Sequence, residues 1–167
     1  MRPFELLFDN PSVDDKGYRI FADGQLFVVR WHNTTIAGAR ALDVDLRAHH
    51  ATVQRPLVFV FLIGKESPMP DRQTREALQH GQQETAELTL TMRSVILPGT
   101  LRQQLIRKIL VGMRMAGALR GQPFHIDANL TALAEVVEKA IGRPAAETLA
   151  AMVESGIISA DEIELDA

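Results

Sequence analysis

The chain has 167 residues, of which 46% are hydrophobic and 23% are charged, and its formal net charge is −3. These values predict one globular domain with a short appendage, and they exclude an intrinsically disordered chain. The chain has no cysteine, which excludes disulfides, thiol nucleophiles and cysteine-ligated zinc. Its longest apolar run, "PLVFVFLIG", has the length of a strand and is too short to span a membrane.

No targeting segment is predicted at the start of the sequence. The stretch "MRPFELLFDN" carries acids at Glu5 and Asp9 and lacks a cleavage-site pattern, so it does not fit a signal peptide. The net charge is too small to indicate a nucleic-acid partner. We therefore expect a soluble, cytoplasmic protein that has no transmembrane segment and does not bind nucleic acid.

The first predicted element is an antiparallel hairpin over residues 18–31. An Asp-Gly pair separates two strand-like runs there, and a tight turn needs residues that tolerate positive φ. A helix follows, with Asn33 or Thr34 as its cap and apolar residues at helical spacing. Residues 56–64 are apolar on both faces, which is typical of a strand in the middle of a sheet that is covered on both sides.

The second half of the chain continues the alternation of helices and strands. Asp71 is a cap candidate for a polar surface helix, and residues 92–99 form the next predicted strand. Thr100 begins a long helix with a capping-box pattern, and the short strand "QPFHID" follows it. Asn129 is the cap candidate of the last amphipathic helix, which ends at a glycine.

This order, β-β-α-β-α-β-α-β-α, predicts an α/β fold. We expect a mixed sheet of about five strands, flanked by four helices, with parallel pairs joined by right-handed crossovers. The expected division is an N-terminal arm over residues 1–16, an α/β domain over residues 17–142, and a C-terminal helix with an acidic tail over residues 143–167.

Four stretches carry a resemblance to a known family: the hairpin, the strand "PLVFVFLIG", the strand-turn-helix "MRSVILPGTLRQQL" and the closing "PFHIDANLTALAEVVEKAIG". Their succession resembles the STAS family of bacterial anti-sigma-factor antagonists, and in particular its SpoIIAA-like branch. The likeness covers about residues 17–142. It implies a STAS-like sheet and a signalling module that works by protein–protein interaction, without enzymatic activity or a cofactor.

Ser67 is the candidate phosphorylation site that this resemblance implies. Antagonists of the family are phosphorylated on a serine or threonine at the helix after the third strand, usually in an Asp-Ser-Gly-like sequence. The junction here reads "IGKESPMPDRQT" and lacks that pattern. A phosphate on Ser67 would lie near a helix N-terminus, which favours anions. The alternative is an ordinary turn, because a residue before proline is pushed out of the helical region.

Basic residues dominate the predicted helix over residues 100–120. No acid occurs between Glu87 and Asp127, and on a helical wheel the basic and apolar side chains occupy opposite halves. We expect this face to bind another protein with an acidic surface; a solvated face and peripheral contact with anionic lipid are the alternatives. The basic residues of this candidate surface are Arg102, Arg107, Lys108, Arg114 and Arg120.

The acidic tail is the second candidate partner surface. From Gly142 onward the sequence has six acidic residues and one basic residue, and spaced apolar residues lie among them. The apolar candidates for partner contact are Met152, Ile157 and Ile158. Such a tail can pack on the basic helix, cap a neighbouring subunit in a homo-oligomer, engage a partner or remain inert.

Catalytic and metal-binding sets are not indicated. The five histidines show no H-x-x-x-H or H-E-x-x-H spacing. Ser67, His125 and Asp127 have the residue types of a hydrolytic triad, but most chains contain such types. Gly99 and Arg102 form a candidate anion site that lacks the spacing of a phosphate loop. We therefore expect no catalytic, cofactor-binding or metal-binding residues.

The function that these observations favour is a regulatory or scaffolding module that acts by protein–protein interaction, in the manner of bacterial STAS-type regulators. The alternative is a binder of a lipid-like or anionic small ligand in a pocket near the 100–120 helix. A deep apolar pocket beneath that helix would favour the ligand binder, and a filled core there would exclude it.

Overall fold

A computed structural model describes residues 5–9, 17–64, 67–68, 70–99, 104–105, 108 and 124–164. Strands and helices alternate along the chain, as the sequence predicts. In chain order the elements are β1 (Glu5–Asp9), β2 (Tyr18–Asp23), β3 (Leu26–Trp31), α1 (Ile36–Val53), β4 (Leu57–Ile63), α2 (Arg72–Thr85), a short 3-10 helix (Ala86–Leu88), β5 (Thr89–Ile96), β6 (Phe124–Ile126), α3 (Leu130–Ile141), α4 (Ala145–Glu154) and α5 (Ala160–Glu164).

The strands form one mixed sheet in the order β1-β2-β3-β4-β5-β6. The first three strands are antiparallel neighbours, and β3 to β6 are parallel neighbours. The predicted α/β class is therefore confirmed. The sheet contains β1 in addition to the predicted strands, because part of the predicted N-terminal arm pairs along β2, from Glu5 opposite Ala22 to Asp9 opposite Arg19.

The hairpin of β2 and β3 turns at Gly24 and Gln25, one residue later than the predicted Asp23-Gly24 pair. Asp23 and Leu26 are the last paired residues on the two strands, which leaves a two-residue turn. Gly24 adopts a φ of 57°, a conformation that costs a glycine little. This turn fixes which side chains of the two strands share a face.

The central strand β4 is buried on both sides of the sheet, as predicted. Side chains alternate along a strand, so β4 contributes to two cores. On one side, the α1 face, Phe59 packs in a cluster with Leu42 and Leu46 of α1. On the other side, the α3 face, Val60 packs in a cluster with Leu133 of α3 and with residues of α4.

Helices α1, α2 and α3 begin at side-chain caps. The Asp71 carboxylate accepts a hydrogen bond from the Thr74 N–H at 2.8 Å, which holds the pKa of Asp71 below its usual range. Asn129 caps α3 in the same way. Both caps are as predicted, whereas α1 is capped by Thr35 instead of Asn33 or Thr34.

Residues 143–164, here called the C-terminal segment, belong to the same core. Met152, Ile157 and Ile158 are 1%, 0% and 2% exposed and lie in the cluster on the α3 face. Arg143 pairs with Asp23 at the hairpin turn. The spaced apolar residues of the predicted C-terminal helix and acidic tail therefore bury their surface against the chain's own sheet.

Candidate functional site

The predicted basic helix lies largely outside the described residues. Gln104, Leu105 and Lys108 are helical and exposed, and Leu105 is 57% exposed. Arg102, Arg107, Arg114 and Arg120 lie outside the described residues. The basic surface and the ligand pocket near it therefore stay predictions.

Ser67 lies in a turn at the end of β4. It is 5% exposed, and its N–H donates to the Gly64 carbonyl at 3.1 Å. Helix α2 begins four residues later, at the Asp71 cap. The turn reading of this junction thus matches the structure, and a kinase could reach the Ser67 hydroxyl only after the turn opens. Phosphorylation of Ser67 stays a prediction.

Met152, Ile157 and Ile158 do not form a partner surface in this structure. Their side chains are fully buried between the C-terminal segment and the α3 face. Exposing them would place apolar surface in water and open the core. This is the correction to their predicted role in partner contact.

Of the three residue types considered for a hydrolytic triad, Asp127 is bound by an arginine. Both carboxylate oxygens of Asp127 accept hydrogen bonds from Arg93, and Asp127 is 6% exposed. This pair links β5 to the turn before α3, where the Asp127 N–H also donates to the Ser94 carbonyl. Among the described residues, no group of three histidines or carboxylates has the arrangement of a metal site.

The outward side of α1 presents an apolar and basic surface that the sequence analysis missed. Val44 is 65% exposed, and exposed neighbours at helical spacing surround it. We call this surface the α1 outer face; its members are Arg40, Val44, Arg47, Ala48 and Ala51, all exposed. A helical wheel could have revealed it, because Val44 lies about 160° from the core residues Leu42 and Leu46.

Two acidic residues of α1 are engaged by other side chains of the protein. Asp43 accepts a hydrogen bond from Arg47 at 3.3 Å. Asp45 accepts one from the buried Tyr18 hydroxyl at 2.9 Å. Burial raises the pKa of Asp45, and the Tyr18 hydrogen bond opposes that rise. The α1 outer face therefore presents arginines without a matching number of exposed carboxylates.

The neighbouring helix α2 has a different surface. Its charges are matched along the helix, with Arg72 paired to Glu76 at 2.8 Å and His80 close to Glu84 at 3.4 Å. Such exposed pairs at i,i+4 spacing satisfy one another and need no partner. Helix α1 has one such pair, Asp43 with Arg47, and it differs from α2 in carrying the exposed apolar side chain of Val44.

An open crevice separates α1 from α2. It encloses about 270 Å³ including the solvent at its mouth, and Asp43, Phe59, Leu78 and Gly81 are among its lining residues. That volume falls below the usual range for a small-molecule site. The crevice is therefore a gap in helix packing, and it does not support the ligand-binding alternative.

Comparison with family models, with curated proteins and with solved structures gives no match for this chain. In the part of the chain that the structure describes, no helix is both long enough and apolar enough to cross a membrane.

Proposed function

We propose that the protein is a non-enzymatic regulatory or scaffolding module that binds another protein through the α1 outer face. The observation that carries this proposal is Val44, a large apolar side chain that is 65% exposed at the centre of an arginine-rich helix surface. Arginine and apolar residues at the centre of a surface are characteristic of protein interfaces.

The charge of the α1 outer face favours a partner with an acidic surface. Arg40 is exposed on it. The Asp43 carboxylate is paired with Arg47 of the same face, and the Asp45 carboxylate accepts a hydrogen bond from Tyr18. Complementary charge would orient the encounter and exclude basic partners. The resemblance of the chain to STAS-type regulators supports the same class of function, since that resemblance implies a binding module.

A pull-down from the source cell tests this proposal with two matched double variants. Arg40→Glu/Val44→Glu reverses charge and removes the apolar centre of the α1 outer face. Lys139→Glu/Ala140→Glu makes the same kinds of change on the exposed side of α3. Thermal unfolding of all three proteins verifies that each is folded before its partners are compared.

We expect wild type and the α3 variant to retain a common protein that the α1 variant loses. If the α1 variant retains every protein that wild type retains, the α1 outer face is not the binding surface and the proposal fails. Loss from both variants would show that net charge, and not this helix, governs retention.

A further inference from the structure

Glu162 connects the end of the chain to the middle of the sheet. It lies in α5, and its carboxylate accepts two hydrogen bonds from Arg30 of β3, at 3.0 Å from Nη1 and 2.8 Å from Nη2. The two side chains are 12% and 13% exposed. Two parallel contacts to a guanidinium at low exposure make this pairing stronger and more directional than a surface ion pair.

The same carboxylate also begins the helix that carries it. The Ser159 N–H donates to Glu162 Oε2 at 2.9 Å, and the Glu162 N–H donates to the Ser159 hydroxyl at 3.3 Å. This reciprocal arrangement is a capping box. The Glu162 carboxylate thus caps its own short helix and binds Arg30 at the same time.

The Arg30 guanidinium also makes a contact that does not involve Glu162. Arg30 Nη1 also donates to the Ile157 carbonyl at 2.6 Å, and Ile157 is fully buried. The guanidinium therefore keeps an anchor when residues 159–164 leave. We call the Arg30 guanidinium and the Ile157 carbonyl the Arg30 site.

Residues 159–164 are attached less firmly than the residues before them. Ile157 and Ile158 are buried, whereas no residue of α5 is buried and Ile163 packs only partly against the core. A short helix with little buried apolar surface has low local stability. Dissociation of residues 159–164 would thus leave the core, including Met152 and Ile157, in place.

We propose that the Arg30 site is a carboxylate-binding site for an acidic peptide segment, which the chain's own Glu162 occupies in cis. A partner segment that begins with Ser or Thr and carries Glu three residues later can form the same capping box and the same two contacts to Arg30. Residues 159–164 and such a partner segment would compete for the same contacts to Arg30, which makes the contact in cis autoinhibitory.

The site is independent of the function proposed above. Arg30 projects from the α3 face with the C-terminal segment over it, and the α1 outer face lies on the helix layer of the opposite face. An acidic partner bound to α1 would not need the Arg30 site. Either proposal can fail without the other.

Isothermal titration calorimetry with an acetylated nine-residue peptide, SADEIELDA, tests the proposal on the full-length chain. The peptide repeats residues 159–167 and supplies the Ser-x-x-Glu chemistry. In the Glu162→Gln chain the cis segment loses its charge but keeps its shape. We expect this chain to bind the peptide about ten-fold or more tightly than wild type does, as for loss of a hydrogen bond to a charged group. The matched control is Glu164→Gln, an exposed residue of α5, which should bind like wild type.

A second peptide, with Gln in place of the glutamate that corresponds to Glu162, should bind the Glu162→Gln chain at least about ten-fold more weakly. Equal binding of the two peptides, or equal affinity of wild type and Glu162→Gln, would overturn the proposal. If Glu162→Gln does not fold, the proposal is tested on wild type by measuring hydrogen exchange at the Glu162 amide. Excess peptide should accelerate that exchange by displacing α5, and an unchanged rate would exclude displacement.

Discussion

Asp45 and Tyr18 join the first helix to the second strand through a single hydrogen bond. The Tyr18 hydroxyl is in the core, where an unmet donor is costly, and Asp45 supplies its acceptor at 2.9 Å. The acceptor is a carboxylate that is partly removed from water, and this desolvation raises its pKa. The pair thus satisfies a buried hydroxyl at the cost of a less well solvated charge.

The pKa of Asp45 gives this residue a definite effect on the pH dependence of stability. The folded protein holds the Asp45 proton at higher pH than the unfolded chain, whose value is near 3.8. The contribution of Asp45 to the free energy of unfolding therefore decreases as the pH rises from 3.8 to the folded value. Asp45→Asn keeps an oxygen for Tyr18 but removes this titration.

We expect the stability of Asp45→Asn, measured relative to wild type by urea unfolding, to improve between about pH 3.5 and about pH 7. Tyr18→Phe is the companion variant. Tyr18→Phe removes the hydrogen bond that lowers the Asp45 pKa. Its free energy of unfolding should therefore fall more steeply with rising pH than that of wild type over the same range. A difference between Asp45→Asn and wild type that does not change with pH would contradict the assigned titration.

At the scale of single elements, α1 and α2 each contain an internal glycine with a different environment. A Cβ added at Gly81 of α2 meets no atom within 4 Å, because Gly81 borders the crevice between the helices. A Cβ added at Gly38 of α1 would lie 3.2 Å from the Thr35 hydroxyl oxygen. That oxygen is the cap that accepts from the Gly38 N–H at 3.0 Å.

We expect Gly81→Ala to raise the free energy of unfolding by about 0.5–1 kcal/mol, since alanine loses less backbone entropy in a helix than glycine does. Gly38→Ala is the matched comparison. It gains the same entropy but crowds the Thr35 cap, so its gain should be smaller or negative. The urea midpoints of the two variants measure the difference, and a larger gain at Gly38 would be inconsistent with the cap geometry.

The elements that the sequence predicted well are those with local signals. Local spacing is enough to identify the caps at Asp71 and Asn129 and the turn that follows Asp23. In each case the interacting residues are only two to four positions apart. The apolar run of β4 likewise reports burial on both sides without knowledge of its neighbours. The α1 cap was placed one or two residues early, because Asn33, Thr34 and Thr35 all have capping side chains and only the path of the chain selects among them.

At the scale of the whole molecule, the C-terminal segment closes the core instead of extending from it. Met152 is among the largest fully buried side chains, and it lies in the cluster on the α3 face with Val60 of the central strand. In this cluster the C-terminal segment covers apolar side chains of the sheet, and the sheet covers apolar side chains of the C-terminal segment. The two parts should therefore unfold together.

We expect Met152→Ala to lower the free energy of unfolding by about 2–5 kcal/mol, the usual cost of removing a large buried side chain. Glu154→Ala, an exposed change two residues away in the same helix, should alter it by no more than about 0.5 kcal/mol. Urea unfolding followed by the fluorescence of Trp31 measures both. If Met152→Ala leaves the transition at Trp31 unchanged, the C-terminal segment is not part of the cooperative unit.

Contacts between distant parts of the chain account for what the sequence did not predict. Arg143 and Asp23 are 120 residues apart, and Arg30 and Glu162 are 132 residues apart. Each of these residues taken alone resembles an ordinary surface charge, and no local pattern specifies the partner. The Ser-x-x-Glu spacing of α5 identifies a capping box from sequence alone. The contact of Glu162 with Arg30 of β3 cannot be identified in this way, because it forms only in the folded sheet.

The strand order has a consequence for how the protein is made. Because the strands are neighbours in the order in which they are synthesised, each one can pair with the strand just before it as it leaves the ribosome. Helix α1 can cover its face of the sheet at the same time. The α3 face, by contrast, is covered only after α3 and the C-terminal segment have been made. A nascent or prematurely terminated chain would therefore display the apolar surface around Val28, Val60 and Leu62, which a chaperone or a protease can recognise.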